Sequence, residues 1–369
     1  MRWLIDAHAF DHDNSEGITT YLKGIYSQLP RLAPEIEFCF ASESGEALSR
    51  FFGTLPNVSY AKLPSQGRTR RLMLDYPRLI RDLRTDYAHF QYLAPPLKNC
   101  RTIVTLHDIL FTDFPKSFPL SYRLSRRVLF GHTARRADVL ATVSEYSRLR
   151  IADRFRIAAE KITVTPNAIS DDFLNSDRNA ARQRIYIRGI RPYLLNVSRI
   201  EPRKNQLALV KAYADLSLAD RGYDLVIIGR PDIGADGLLN YIHSLPPSVS
   251  SHIHLPGPMP HDELKDWYAA ASLFVFPSLA EGFGIPPLEA AATRTPVICH
   301  NATALADFKF FGDNHADLSD PANLARLIDR NLKNPIPDPQ LKSIADTICR
   351  TYSWRKSAQA LLDSVKTQP

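Results

Sequence analysis

The run Glu281-Gly282-Phe283-Gly284-Ile285-Pro286-Pro287-Leu288-Glu289 sets two glutamates eight positions apart. It follows an apolar run, Leu273-Phe274-Val275-Phe276-Pro277, that reads as a buried strand. It opens into Leu288-Glu289-Ala290-Ala291-Ala292, which reads as a helix. The stretch is therefore a glycine-rich strand-to-helix turn with a carboxylate at each end. Its glycines let backbone approach a ligand closely. The amides of a helix N-terminus favour an anionic or oxygen-rich ligand. Carboxylates cannot bind phosphate, but they accept hydrogen bonds from sugar and ribose hydroxyls. As a site, the turn suits a nucleotide-sugar. As plain structure, it is a helix start with Glu289 in the first turn. The spacing alone leaves both readings open.

Working outward, the same strand-then-helix alternation recurs along the chain. Residues 2–6, 37–41, 58–62, 89–91, 102–106, 139–143 and 162–164 read as strands, with helices at 18–29, 123–137 and 145–155. The second half repeats the pattern, with strands at 193–197, 224–228, 253–255, 273–276 and 297–298. Its helices are expected at 206–216, 261–271, 288–292 and 321–331. Alternation of this kind predicts parallel sheets covered by helices on both faces. Two such runs predict two Rossmann-like domains, each with a ligand crevice at the carboxyl ends of its strands. The polar stretch 170–189 is the natural boundary, giving domains at 1–169 and 170–351, and 352–369 ends in a last helix.

At 369 residues the chain suits two domains. Its 44% apolar and 23% charged residues are those of an ordinary soluble protein. No run of eighteen apolar residues predicts a membrane span, and Met1-Arg2-Trp3-Leu4-Ile5-Asp6 lacks a signal-peptide core. Cys39, Cys100, Cys299 and Cys349 match no metal spacing and read as free thiols in a reducing compartment. Asp11-His12-Asp13 is a lone cluster in a loop. Gly-x-Gly-x-x-Gly after the first strand and a Gly-Lys-Ser/Thr loop are both missing, which argues against a dinucleotide oxidoreductase and an ATPase.

The net charge of +7 is unevenly placed. Residues 1–170 hold 24 Lys+Arg against 17 Asp+Glu, whereas the remainder holds 22 of each. Such a field attracts an anionic surface or acceptor. Residues 71–84 mix Arg71, Arg78, Arg81 and Arg84 with Leu and Ile, as a membrane-surface helix does, although Pro77 interrupts any long helix. The other reading is a solvated helix packing its apolar stripe on a core.

A second motif, Ser198-Arg199-Ile200-Glu201-Pro202-Arg203-Lys204-Asn205-Gln206, leaves the first strand of the second domain. Arg199 and Lys204 lie at the strand end, where a forked and a compact cation could neutralise a leaving diphosphate. A surface-charged loop is the alternative.

In this order the motifs resemble those of the family-four retaining glycosyltransferases of the GT-B fold. Glu16-Gly17-Ile18-Thr19-Thr20-Tyr21 is similar to the first-loop glycine motif, and Thr102–His107-Asp108 to the strand ending in His-Asp. Val143-Ser144-Glu145 and Lys161–Ala168 match the path into the linker. Ser198-Arg199 and Arg203-Lys204 match the phosphate site, and Glu281 to Glu289 the two-glutamate motif. The resemblance implies an α/β protein of two Rossmann-like domains facing a central cleft, with the last helix crossing back to the first domain. It implies that Arg199 and Lys204 hold the donor diphosphate and that Glu289 binds ribose. Glu281 would face the donor sugar, with the amides of Phe283, Gly284 and Ile285 near sugar and phosphates. Gly17 would let a loop close over the phosphates, and His107 would contact the donor sugar near the reacting centre. Gly229, Leu255 and Gly257 would flank the base. Arg230, where a second glycine is common, departs from the family, as do Ala168 and the aromatic run Phe308-Lys309-Phe310-Phe311.

The expected activity is retaining transfer of a hexose, mannose or glucose in type, from a GDP- or UDP-sugar to an acceptor hydroxyl. A bacterial polysaccharide, O-antigen or glycolipid acceptor is expected. No cofactor, metal or nucleic acid is called for, and the expected location is cytoplasmic or peripheral on the inner membrane face. The alternatives are a nucleotide-sugar epimerase or hydrolase of the same fold, and a non-catalytic sugar-nucleotide-binding protein.

Overall fold

Each apolar run read as a strand joins one of two parallel sheets. The computed structural model describes residues 1–11, 16–64, 67–97 and 99–368, so His12 and Asp13 of the Asp11 cluster lie outside the described residues. The chain forms two units, Met1–Asn167 with Ser353–Pro369, and Ala168–Tyr352.

The first unit holds β1 (Arg2–Asp6), β2 (Glu37–Ser42), β3 (Val58–Lys62), β4 (Tyr87–Gln91), β5 (Arg101–Thr105), β6 (Val139–Thr142) and β7 (Ile162–Val164). Their order is β3-β2-β1-β4-β5-β6-β7. The second holds β8 (Tyr193–Val197), β9 (Asp224–Ile228), β10 (Ile253–Gly257), β11 (Leu273–Phe276), β12 (Val297–His300) and β13 (His315–Ala316), in the order β10-β9-β8-β11-β12-β13. Strands buried on both faces read as continuous apolar runs rather than alternating ones. Leu-Phe-Val-Phe of β11 is buried throughout for that reason. Each order reverses once, between β1 and β4 and between β8 and β11. Ligands of open α/β sheets bind at the carboxyl ends of strands at such reversals.

Trp354 opens the last helix, Trp354–Lys366, which packs against the Glu16–Leu32 helix. A Cβ at Gly24 would lie 2.1 Å from Cδ2 of the indole, so Gly24 is the socket that admits the ring. Ser357 donates to the Pro166 carbonyl at 2.7 Å, and the terminal segment thereby belongs to the first unit.

One local expectation is corrected, and one helix goes unforeseen in the sequence. Pro77 does not break the helix around it, because a π-turn, Arg71–Asp75, precedes Tyr76–Asp82 in one continuous helical run from Arg68. The wider turn accommodates a ring that lacks an N–H and crowds the preceding carbonyls. The run packs Leu72, Tyr76, Leu79, Ile80 and Leu83 onto the core and leaves Met73 and Leu74 exposed. The polar stretch 170–189 carries a helix, Arg178–Tyr186, capped by the Asp177 carboxylate. Ala181 and Ile185 are its only buried residues, too few for a readable period.

Candidate active site

The reversal between β8 and β11 brings two sequence-distant loops together in the second unit. The loop after β8 supplies Lys204, whose Nζ lies 2.6 Å from Glu281 Oε1 in the loop after β11. Both side chains are nearly buried, at 12% and 11% exposure. Arg203 joins them, with Nη1 3.6 Å from Glu281 Oε2, and it also pairs with Glu201 and donates to the Ala280 carbonyl. Burial alone would raise the Glu281 carboxyl, but Lys204 and Arg203 hold it below its ordinary value. Burial pulls the Lys204 ammonium down, against the pull of Glu281. The sequence reading placed Lys204 on phosphate and Glu281 on sugar. The structure pairs the two directly, with Arg203 as a third partner.

The backbone explains the pairing. Asn205 adopts φ 57°, a left-handed conformation that Asn tolerates, and turns the chain from the short helix Pro202–Lys204 into Gln206–Asp215. Thr303 also has φ 57°, unusual for a β-branched residue, and its hydroxyl accepts from the Glu281 N–H at 2.9 Å. Gly284, φ 100°, starts the helix Ile285–Ala292, and a Cβ there would meet Leu305 Cδ2 at 2.4 Å. Pro286 and Pro287 remove two of the first four helix amides, so fewer donors face the turn than its position implies. The aromatic run packs behind this turn: Phe283 meets Phe308 at 5.9 Å and Tyr352 at 5.3 Å.

Glu289 stands apart from that ion pair and accepts from the Tyr268 hydroxyl at 2.9 Å. Burial raises its carboxyl to about 7, and the Tyr268 hydrogen bond opposes the rise. Arg199 makes a longer contact, Nη1 to Asp232 Oδ2 at 3.4 Å, and is the more exposed of the two candidate phosphate cations. Gly229, at the end of β9, has φ 150°, and a Cβ there would lie 2.0 Å from the Ser198 carbonyl oxygen. Its N–H donates to Gly257 beyond a register shift in β10, with Leu255 exposed beside it.

In the first unit, His107 follows β5 and is buried. Its Nε2 lies 2.7 Å from Gln91 Oε1 at the end of β4, and its ring meets Tyr21 edge-on at 5.1 Å. Gln91 Nε2 reaches His89 Nε2 at 3.2 Å, and His89 Nδ1 contacts the Tyr26 hydroxyl at 2.7 Å. Burial lowers His107 to about 4 and His89 to about 3, the latter with a further push from His107. Both rings are neutral at pH 7. Gln91 and His89 escaped the sequence reading, because pairing across neighbouring strands leaves no spacing signal. Asp6, at the end of β1, holds His8 Nδ1 at 2.5 Å and accepts from the Tyr76 hydroxyl. Gly17 is exposed in the first turn of Glu16–Leu32, with none of the described residues within 4 Å of a Cβ there. Packing among the described residues therefore does not demand glycine at 17.

The "Glycosyltransferase Family 4" model matches residues 15–173, and the "Glycosyl transferases group 1" model matches residues 177–347. The chain belongs to the family-four retaining glycosyltransferases, which use nucleotide-sugar donors. It is 28% identical over 334 residues to the O-antigen chain mannosyltransferase B of Escherichia coli, covering 84% of this chain and 86% of that protein. Sucrose-phosphate synthase from Thermosynechococcus elongatus shares the fold with a TM-score of 0.76 at 16% identity, over 99% of this chain and 98% of its own. HepE of Anabaena, in complex with UDP and glucose, has a TM-score of 0.75 at 15% identity over 100% of both chains.

Proposed function

We propose that this enzyme transfers a mannose-type hexose from a nucleotide diphospho-sugar to a glycan hydroxyl in bacterial O-antigen or related polysaccharide synthesis, with retention. The observation that carries the reading is the Lys204–Glu281–Arg203 cluster at the β8/β11 reversal, because two cations share one carboxylate there and an incoming diphosphate can redistribute their charge. The likeness to an O-antigen mannosyltransferase over most of both chains supports the sugar and the acceptor class.

Arg199 and Lys204 take the donor diphosphate, so that Lys204 divides its charge between phosphate and Glu281. That bond to phosphate strengthens as the leaving group gains charge. Glu281, anchored by Thr303, accepts from a sugar hydroxyl, and Glu289 accepts from ribose. Gly229, Leu255 and Gly257 flank the base, and the amides of Phe283, Gly284 and Ile285 lie by the sugar and phosphates. The sugar–phosphate bond breaks while the acceptor oxygen bonds the same carbon on the same face. The acceptor proton passes to the departing phosphate oxygen. His107 serves as a neutral hydrogen-bonding group rather than an acid, since burial holds its pKa near 4.

A thermal-shift panel of GDP, UDP and their mannose and glucose conjugates tests the donor, since a ligand bound only by the folded state raises the melting temperature. Product anomers read by NMR, with and without a mannoside acceptor, test the reaction. An inverted linkage, or sugar released as readily without acceptor, would overturn it.

A further inference from the structure

The Leu120–Arg136 helix wears its apolar stripe outward. Leu120, Leu124 and Val128 recur every fourth residue and are 62%, 56% and 67% exposed. That spacing puts them on one face of a helix. A surface helix ordinarily turns such a stripe to the core. Here the buried residues are Phe130, Gly131, Thr133 and Ala134, all in the second half, and none of residues 120–129 is buried. The charge around the stripe has one sign. Residues 114–137 contain Lys116, Arg123, Arg126, Arg127, Arg135 and Arg136 and no Asp or Glu. The helix starting at Arg68 adds to it: burial, then the nearby charges of Arg126 and Arg71, hold Arg68 below its ordinary range.

We infer that this helix is a docking face for an anionic lipid bilayer, with Leu120, Leu124 and Val128 entering the acyl boundary and Arg123 and Arg127 meeting headgroup phosphates. Apolar side chains on one face with arginines beside them are what an interfacial helix requires. A second copy fits worse. Symmetric pairing of this face would set arginines against arginines, and three aliphatic side chains fall far short of the ~800 Å² per partner of a stable interface. The first-unit charge excess then serves this helix rather than the 71–84 segment, whose Tyr76 and Ile80 are buried and whose Leu72, Leu79 and Leu83 pack on the core. It does not depend on the proposed reaction, because vesicle binding needs neither donor nor acceptor.

The test is co-sedimentation of the full chain with phosphatidylcholine vesicles carrying rising fractions of phosphatidylglycerol, at low and high salt. Wild type should bind in proportion to anionic lipid and release in high salt. The Leu120→Ser, Leu124→Ser, Val128→Ser triple variant should lose roughly tenfold or more in vesicle affinity at an unchanged melting temperature. Arg123→Ala with Arg127→Ala should remove most of the salt-sensitive part. A fluorophore on Leu124→Cys should blue-shift on anionic vesicles, beyond any signal from the labelled wild-type chain. Wild type that ignores vesicles of equal phosphatidylglycerol and phosphatidylcholine at low salt would overturn the proposal. So would a triple variant that binds like wild type, or a wild-type dimer in sedimentation velocity that the triple variant dissolves.

Discussion

The β8/β11 reversal and the ends of β4 and β5 bury polar groups with opposite chemistry. Between β8 and β11 the polar groups are ions in contact, Lys204 and Arg203 around Glu281. At the ends of β4 and β5 they are neutral, His107 and His89 joined through Gln91. A buried ion cluster can exchange partners with an incoming diphosphate. A buried neutral network cannot accommodate much charge, but it holds a ring in one orientation. The contrast teaches that buried ions able to change partners lie in the second unit, and a buried neutral network that fixes a ring lies in the first.

Removing one ion gives the largest expected break in this comparison. Lys204→Ala leaves Glu281 buried with Arg203 alone, so about 3–5 kcal/mol of stability should go. Turnover should fall about 10²–10³-fold with it. Lys204→Arg, measured by urea midpoint and steady-state rate, should recover stability better than rate. Equal, small losses in both variants would mean that the cluster is ornamental.

Acid sharpens the contrast next. His107 and His89 have folded-state values of about 4 and about 3 against 6.5 in the unfolded chain. Their contribution is present above pH 6.5 and is lost as pH falls toward 3, because the unfolded state binds protons first. Glu289 has the opposite sign. Its value is raised from 4.5 to about 7, so its contribution is present below pH 4.5 and is lost as pH rises through 7. Hydrogen exchange read peptide by peptide from pH 5 to 8 should show β4 and β5 gaining protection with pH. Protection that falls with pH there would reverse the assignment.

Glu289→Gln isolates the opposing group. The uncharged isostere should lift second-unit stability at pH 8 by about 1 kcal/mol, because it removes a buried ionisation. It should also weaken free nucleotide several-fold, since an ionised carboxylate accepts from hydroxyls more strongly than an amide does. Calorimetry that finds nucleotide bound equally tightly by both forms would remove Glu289 from the ribose site.

The smallest expected change is at Gly17. With none of the described residues within 4 Å of a Cβ, Gly17→Ala should raise stability by up to ~1 kcal/mol through helix propensity. If the glycine serves a ligand, turnover should drop at the same time. A stabilised and fully active variant would make it an ordinary helix residue.

Much of this was legible in the sequence for a physical reason. Parallel strands buried on both faces must be continuous apolar runs, so β1, β8, β9 and β11 fall where the composition puts them. The Glu281–Glu289 turn is readable because strand, glycines and helix follow one another locally. What the chain does not display is contact across distance. Lys204 and Glu281 are 77 residues apart, and only the sheet order makes them neighbours. Gln91 meets His107 through strand register, not spacing. The π-turn before Pro77 was hidden because a proline signals a break, whereas a widened turn absorbs it. Asp338–Thr351, a helix of the second unit, was missed altogether, although its Leu341, Ala345 and Ile348 keep a helical period.

The indole of Trp354 in its Gly24 socket carries a consequence for how the chain is made. Residues 168–352 are an excursion between two pieces of one unit, and its ends close only when the final helix arrives. Closing a loop of that length costs entropy that grows only slowly with length, yet contacts so separated in sequence slow folding. On the ribosome the earlier-synthesised sheet therefore waits for the last residues, while the inserted unit can fold first and complete. A chain released after Tyr352 would carry a complete second unit and a first unit that lacks its closing helix. The last helix is then the clasp that decides when the enzyme becomes whole.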